Sequence, residues 1–166
     1  MSKTLMIAFA IGLVVVAVAV GTVYYSHRGA HVTLDEKTSK VLKVRTAPLD
    51  ENSSVAVIDF RVTNPSDYNF MAKDVTIVLV DAAGNQTDGQ TSSEMDAKRL
   101  FAGLPILGEK YNESLKQRDI IPPHGTVDRM VAARFEVPES KLAARKRFLV
   151  RVEEVDGNVN EFGETR

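Results

Sequence analysis

Hydrophobic and polar residues divide this chain into an apolar opening and a long remainder in which the two kinds alternate. From Leu5 to Val23 nineteen consecutive residues carry no charge, and Gly12, Gly21 and Thr22 are the only weakly polar members. A helix over this run would be about 29 Å long, close to the roughly 30 Å of a hydrocarbon core. A buried core helix accounts poorly for so long an uncharged run near a chain terminus. Tyr24 and Tyr25 follow it, where aromatic side chains anchor at a membrane interface. We read residues 1–4 as a tail and 5–25 as a transmembrane signal anchor. The alternative is secretion after cleavage near Ala19, since Ala17-Val18-Ala19 has the small-x-small spacing of a processing site, but no polar segment precedes it. Lys3 before the run, and Arg28 alone just after it, favour the amino end inside and the domain on the outer side. Lys37, Lys40, Lys43 and Arg45 point the other way, but they lie farther from the span.

Residues 26–39 read as a polar tether without a sustained period, and 40–163 as one domain. Val41–Thr46 alternates, with Leu42 and Val44 on one side and Lys43 and Arg45 on the other. In Val55–Thr63, Ala56, Ile58, Phe60 and Val62 share a face opposite Asp59, Arg61 and Thr63, the period of two of a half-buried strand. Val75–Val80 is apolar on both faces, as in a strand covered on both sides. Val127–Val137 and Phe148–Val155 give two further strands, and Asp156-Gly157 predicts a type I′ hairpin to Val159–Phe162. Pro138–Lys146 has room for one or two helical turns.

Residues 86–118 do not alternate and predict a partly helical insertion. Thr91-Ser92-Ser93-Glu94 has capping-box spacing, and Ala97, Leu100, Phe101 and Leu104 recur at helical intervals until Pro105. A weaker helical stretch is expected over Glu109–Gln117. Many strands, frequent turns and little helix predict a mainly β fold, an immunoglobulin-like antiparallel β-sandwich, preceded by one N-terminal transmembrane helix.

Composition narrows the function more by exclusion than by assignment. The 166 residues less the first 29 leave about 137, enough for one domain that folds without disulfides or metal. There is no cysteine, which removes thiolate metal sites and a Cys nucleophile. The 21 basic and 22 acidic side chains are interspersed, so no nucleic-acid footprint stands out. His27 and His31 read as solvated residues and His124, after Pro122-Pro123, as a turn residue. Asn52, Asn85 and Asn112 begin sequons, which turn-rich chains produce by chance. No nucleophile elbow, P-loop or zinc-protease motif occurs. The chain therefore reads as a non-enzyme with no cofactor and no metal.

Val57-Ile58-Asp59-Phe60-Arg61-Val62-Thr63-Asn64-Pro65, then Val75–Val80 and Asp81-x-x-Gly84, resembles the opening of immunoglobulin-like sandwich domains. Domains of this kind occur in late-embryogenesis-abundant water-stress proteins and as telokin-like domains of bacterial exported proteins. Ile120–Val127, leading to Phe135-Glu136-Val137-Pro138, resembles their later turn and strand. The resemblance implies the fold and a generally noncatalytic role.

Leu100, Phe101, Leu104, Ile106, Leu107 and Tyr111 form the candidate interaction surface, with Tyr24 and Tyr25 at the membrane interface. The six either cap one end of the sandwich core or line a groove for a partner peptide or an acyl chain. The expected partners are the bilayer and another protein at the cell envelope, for which the chain is a structural or accessory factor. A small-molecule ligand enters only through the alternative reading, a carrier or sensor of an apolar lipid.

Overall fold

The computed structural model describes residues 3–27, 32–35 and 37–164, and within the first helix the side chains of Phe9–Tyr24 only. Arg28, His31 and Glu36, and the side chains of Lys3, Tyr25 and His27, therefore lie outside the described residues. The chain forms two compact units, residues 1–31 and 32–166. The first is helix α1, Lys3–His27, whose described apolar side chains are exposed. Those side chains cover 16 residues, a helical length of about 24 Å, and among the described residues no helix is long and apolar enough to cross a membrane.

The second unit is a two-sheet antiparallel β-sandwich. Its elements are β1 (Lys40–Pro48), β2 (Ser54–Thr63), β3 (Phe70–Val80), β4 (Gln86–Asp88), β5 (Gln90–Thr91), α2 (Glu94–Gly103), a 3₁₀ turn (Pro105–Leu107), β6 (Ile120–Ile121), β7 (Thr126–Phe135), α3 (Glu139–Ala143), β8 (Arg147–Glu154) and β9 (Val159–Gly163). One sheet runs β1-β2-β7-β5; the other runs β4-β3-β8-β9, with β6 also on β3. Ile58, Phe60, Val131 and Phe135 of the first sheet face Ile77, Leu79, Phe148 and Val150 of the second across the main core. Phe60 packs on Phe162 at 5.6 Å and Phe135 on Phe148 at 5.9 Å, both tilted, which is the usual geometry of aromatic pairs.

Several local expectations change. The tether ends sooner than expected, because Val32 and Leu34 are buried in the main core. The Val32 N–H donates to Glu154 Oε2 at 3.1 Å and the Leu34 N–H to Asn160 Oδ1 at 2.8 Å, so side chains of β8 and β9 satisfy this segment. In β1 a bulge between Val41 and Lys43 leaves Leu42 unpaired and exposed, and Val41 rather than Leu42 packs with Val44 against the core.

The segment expected to lack strands carries β4 and β5, separated by Gly89 alone, and the chain passes there from one sheet to the other. A Cβ at Gly89 would meet the Phe135 ring at 2.5 Å, so only glycine fits at this crossing. The cap of α2 is Ser93, which accepts from the Asp96 N–H, while the Thr91 hydroxyl donates to the Val75 carbonyl. Glu109–Gln117 is not helical: Ser114 bridges Met130, and the Leu115 N–H donates to the Met130 carbonyl at 2.9 Å. The free edge of β7 captures this stretch, since its backbone groups there have no other strand to pair with.

The Asp156-Gly157 hairpin forms, but only Gly157 has positive φ, at 87°. The Gly157 N–H donates to the Glu154 carbonyl at 2.8 Å, which makes a type I turn with a left-handed glycine instead of type I′. Asp81–Gly84 repeats the arrangement, with Gly84 at φ 91° and the same bond at 3.1 Å.

Candidate functional site

The insertion does not cap an end of the sandwich. It lies across the outer face of the β1-β2-β7 sheet and builds a second apolar layer from Ala47, Val55, Val57, Met130 and Ala132 below and Ala97 and Leu107 above. The face of β2 opposite the main core is therefore buried too. The six candidate residues divide on this layer. Leu107 is buried, and Leu100, Phe101 and Leu104 are half-buried against the second layer. Ile106 is 74% exposed and Tyr111 60%, so these two form the outward surface.

One ionic group pins the insertion down. Arg45 and Asp59 both point outward, on diagonal positions of the β1–β2 register. Covered by the insertion, they form a buried pair at 2.6 Å. Arg45 Nη1 also donates to the carbonyls of Leu107 at 2.8 Å and Glu109 at 2.7 Å, and Asn112 Nδ2 donates to the other Asp59 oxygen at 2.8 Å. The Arg45 guanidinium lies 4.9 Å from the Phe101 ring centre and 5.3 Å from that of Tyr111, and Lys43 Nζ lies 4.7 Å from Tyr111. These contacts hold the exposed Tyr111 ring in place. Asn112, noted first as a sequon, thus has a structural bond through Nδ2, the atom a glycan would occupy.

Glu94 fixes the other side of the insertion. Its Oε2 accepts the Ser114 N–H at 2.9 Å, and its Oε1 pairs with Lys110 Nζ at 3.0 Å. Burial pushes the Glu94 carboxyl up, but the bonds from Ser114 and Lys110 outweigh it and hold the group well below the usual carboxylate range.

Sequence patterning assigned Asp59 and Arg45 to the outward faces of their strands but gave no sign that those faces would be covered. The available signal was the combination of a long insertion with Val55 and Val57, two apolar residues on the supposedly solvated side.

Two recesses flank this region. Between α2 and the sheet, a groove of about 550 Å³ is lined by Leu49, Val55, Leu100 and Leu104, with Arg99 and Arg134 among its walls. A second cleft, of about 620 Å³, has a mixed lining in which Lys73, Asp74, Glu94 and Glu153 stand beside Val75 and Leu115. Among the described residues no group of three or more His, Asp or Glu could hold a metal ion. His124 Nε2 lies 2.9 Å from Asp67 Oδ1, but both side chains are exposed at a loop tip and not in a cleft. His124 has φ 53°, in keeping with its reading as a turn residue. Tyr24 is exposed on α1.

No protein-family profile matches the chain, and no curated protein matches it. Among solved structures, it is similar to an uncharacterised β-sandwich protein from Clostridium difficile 630. That pair shares 13% identity over 76% of this chain and 84% of the other, with a TM-score of 0.40. A Northeast Structural Genomics Consortium target shares 11% identity over 78% and 84% of the respective chains, with a TM-score of 0.35.

Proposed function

We propose that this chain is a single-pass, membrane-anchored and noncatalytic β-sandwich that presents a protein-binding surface at the cell envelope, with its amino end inside. The observation that carries the anchor is the inclusion of the whole uncharged run Leu5–Val23 within one helix, Lys3–His27. The strand orders β1-β2-β7-β5 and β4-β3-β8-β9 are those of an immunoglobulin-type sandwich, ABED facing C′CFG, which supports the finer fold reading. Ile106 and Tyr111 support the binding role. Both are large and exposed, and Tyr111 is held against the buried Arg45, so docking on it would cost little ordering entropy.

Alkaline carbonate extraction of membranes holding the full chain tests the anchor. The protein should stay in the pellet and come out with detergent. Release by carbonate alone overturns the reading. A photo-crosslinker at Ile106 should give a discrete adduct that a Tyr111→Ala background removes, whereas the same group at Ala82 should give none.

The groove beneath Leu100 and Leu104 favours a second reading, a carrier of an apolar acyl chain whose acidic head would meet Arg99 or Arg134. Native mass spectrometry of the full chain released from detergent distinguishes the two. A bound lipid that is lost in Leu104→Trp supports the carrier, and a clean protein mass removes it.

A further inference from the structure

The end of the sandwich where the chain enters the domain carries three large apolar side chains in solvent. Tyr68 is 65% exposed in the β2–β3 loop, Ile120 48% in β6 and Val155 49% at the β8–β9 hairpin. They lie on separate segments, but hydrogen bonds join those segments into one surface. The buried Asn64 Nδ2 donates to the carbonyls of Tyr68 at 2.7 Å, Ile121 at 3.0 Å and Pro122 at 3.1 Å. Met71 pairs with Ile120 in the β3–β6 register, and its carbonyl accepts the Val155 N–H at 3.0 Å. The core fold needs none of the three exposed side chains, yet the loops hold all of them outward together.

The covalent path leads from this end to the apolar helix. Val32 is hydrogen-bonded to Glu154 and to Asn158, on either side of the Val155 turn. Only five peptide links separate it from His27, the last residue of α1, and these reach at most about 18 Å. We propose that this loop end is a lipid-facing surface, with Tyr68, Ile120 and Val155 in the interfacial zone of the bilayer. The proposal rests on the anchor reading above and adds which face of the domain meets the membrane. Tyrosine suits that zone, because its ring is apolar and its hydroxyl polar. Charge of one sign does not drive the contact: Asp67 and Asp156 stand at this end, but so do Lys40 at the start of β1 and Lys73 and Arg118 beside the β3–β6 pair. The fitting partner is therefore a neutral, zwitterionic interface and not an anionic one.

The chain has no cysteine, so single-cysteine variants of the full protein report directly. In phosphatidylcholine vesicles, a fluorophore on Val155→Cys or Ile120→Cys should be quenched by headgroup-region nitroxide lipid at least threefold more than one on Ala83→Cys. Ala83 is exposed in the β3–β4 turn, at the opposite end of the 11-residue β3. A label on Val15→Cys, in the middle of the uncharged run, reads the anchor separately, with the nitroxide placed near the end of the acyl chain. If Val15 is quenched while positions 155, 120 and 83 are alike, the loop end does not touch lipid and the proposal fails with the anchor intact. If Val15 is not quenched, the anchor reading fails and the proposal falls with it. Unchanged thermal melts of the labelled proteins exclude misfolding, and Tyr68→Asp should lower the quenching at position 155.

Discussion

The outer faces of the two sheets are built in opposite ways, although both sheets are antiparallel and close the same main core. On the β1-β2-β7 sheet, α2 and the 3₁₀ turn cover Val55, Val57, Met130 and Ala132, and the charged pair Arg45–Asp59 lies buried beneath them. On the β3-β8-β9 sheet only Val78, Val80 and Leu149 form a small apolar cluster, and the remaining surface is laced with partly exposed pairs such as Lys73–Glu153 and Arg151–Glu161. Strands of both sheets send charged side chains to these outer faces, Arg45 and Asp59 on one and Arg151 and Glu153 on the other. Whether a charged strand residue becomes structural or merely solvated is decided by what a distant segment lays over it.

The largest expected effect is on the covered face. Arg45→Ala removes the partner of buried Asp59 and releases the carbonyls of Leu107 and Glu109. Breaking a buried pair from one side costs about 3–5 kcal/mol, because an uncompensated charge remains. Urea unfolding of the full chain in detergent at pH 7 should show a loss in that range. The double change Arg45→Met with Asp59→Leu should lose less than either single change, and a larger loss would mean that the pair is favourable in itself.

Gly89, where the chain crosses between the sheets, comes next. Gly89→Ala sets a methyl group against the buried Phe135 ring and the Ala133 Cβ, and overpacking of this kind costs about 2 kcal/mol. The penalty should shrink in a Phe135→Leu background, where the two sites share the same space. Equal penalties in both backgrounds would shift the cause from the ring to the backbone.

The comparison also explains what the sequence could reveal. The main core was legible because Ala56, Ile58, Phe60 and Val62 keep a strict period of two and face other strands of the same kind. The first helical stretch was legible from Ala97, Leu100, Phe101 and Leu104, and so was the stop at Pro105. Local pattern failed where the deciding partner is remote. The strand pairing of Gln86–Thr91 depends on the edges of β3 and β7, and the extended path of residues 113–115 on the latter alone. The burial of Asp59 depends on Asn112, 53 residues away. Of the six candidate surface residues, helical periodicity separated none of the buried from the exposed. That division follows from the 3₁₀ turn, which aims Leu107 inward and leaves Ile106 out.

A smaller effect should separate the faces by pH. Glu94 ties α2 to Ser114 and Lys110 on the covered side, and its folded-state pKa is depressed. A depressed carboxylate stabilises the fold above its unfolded value of 4.5 and loses that contribution as pH falls through the folded value. Glu94→Gln should therefore be less stable than the parent at pH 7, by about 1.5 kcal/mol, the lower end for a bond to a charged group. The gap should close as pH falls below 4.5. A gap constant with pH would assign the effect to packing.

The smallest effect belongs to the bare face and completes the contrast. Arg151 Nε pairs with Glu161 at 2.9 Å and its Nη1 with Asp88 at 3.5 Å, but the partners are 40% and 66% exposed. Solvent screens such pairs, and their median worth is about 0–1 kcal/mol. Arg151→Ala should shift the urea midpoint only slightly, and the shift should fade in 1 M salt, where the Debye length is about 3 Å. Arg45→Ala should keep its penalty under the same salt, because its partner is shielded from ions by the insertion. If both variants responded alike to salt, the layer formed by α2 and the 3₁₀ turn would be opening in solution, and the two faces would differ in structure but not in energy.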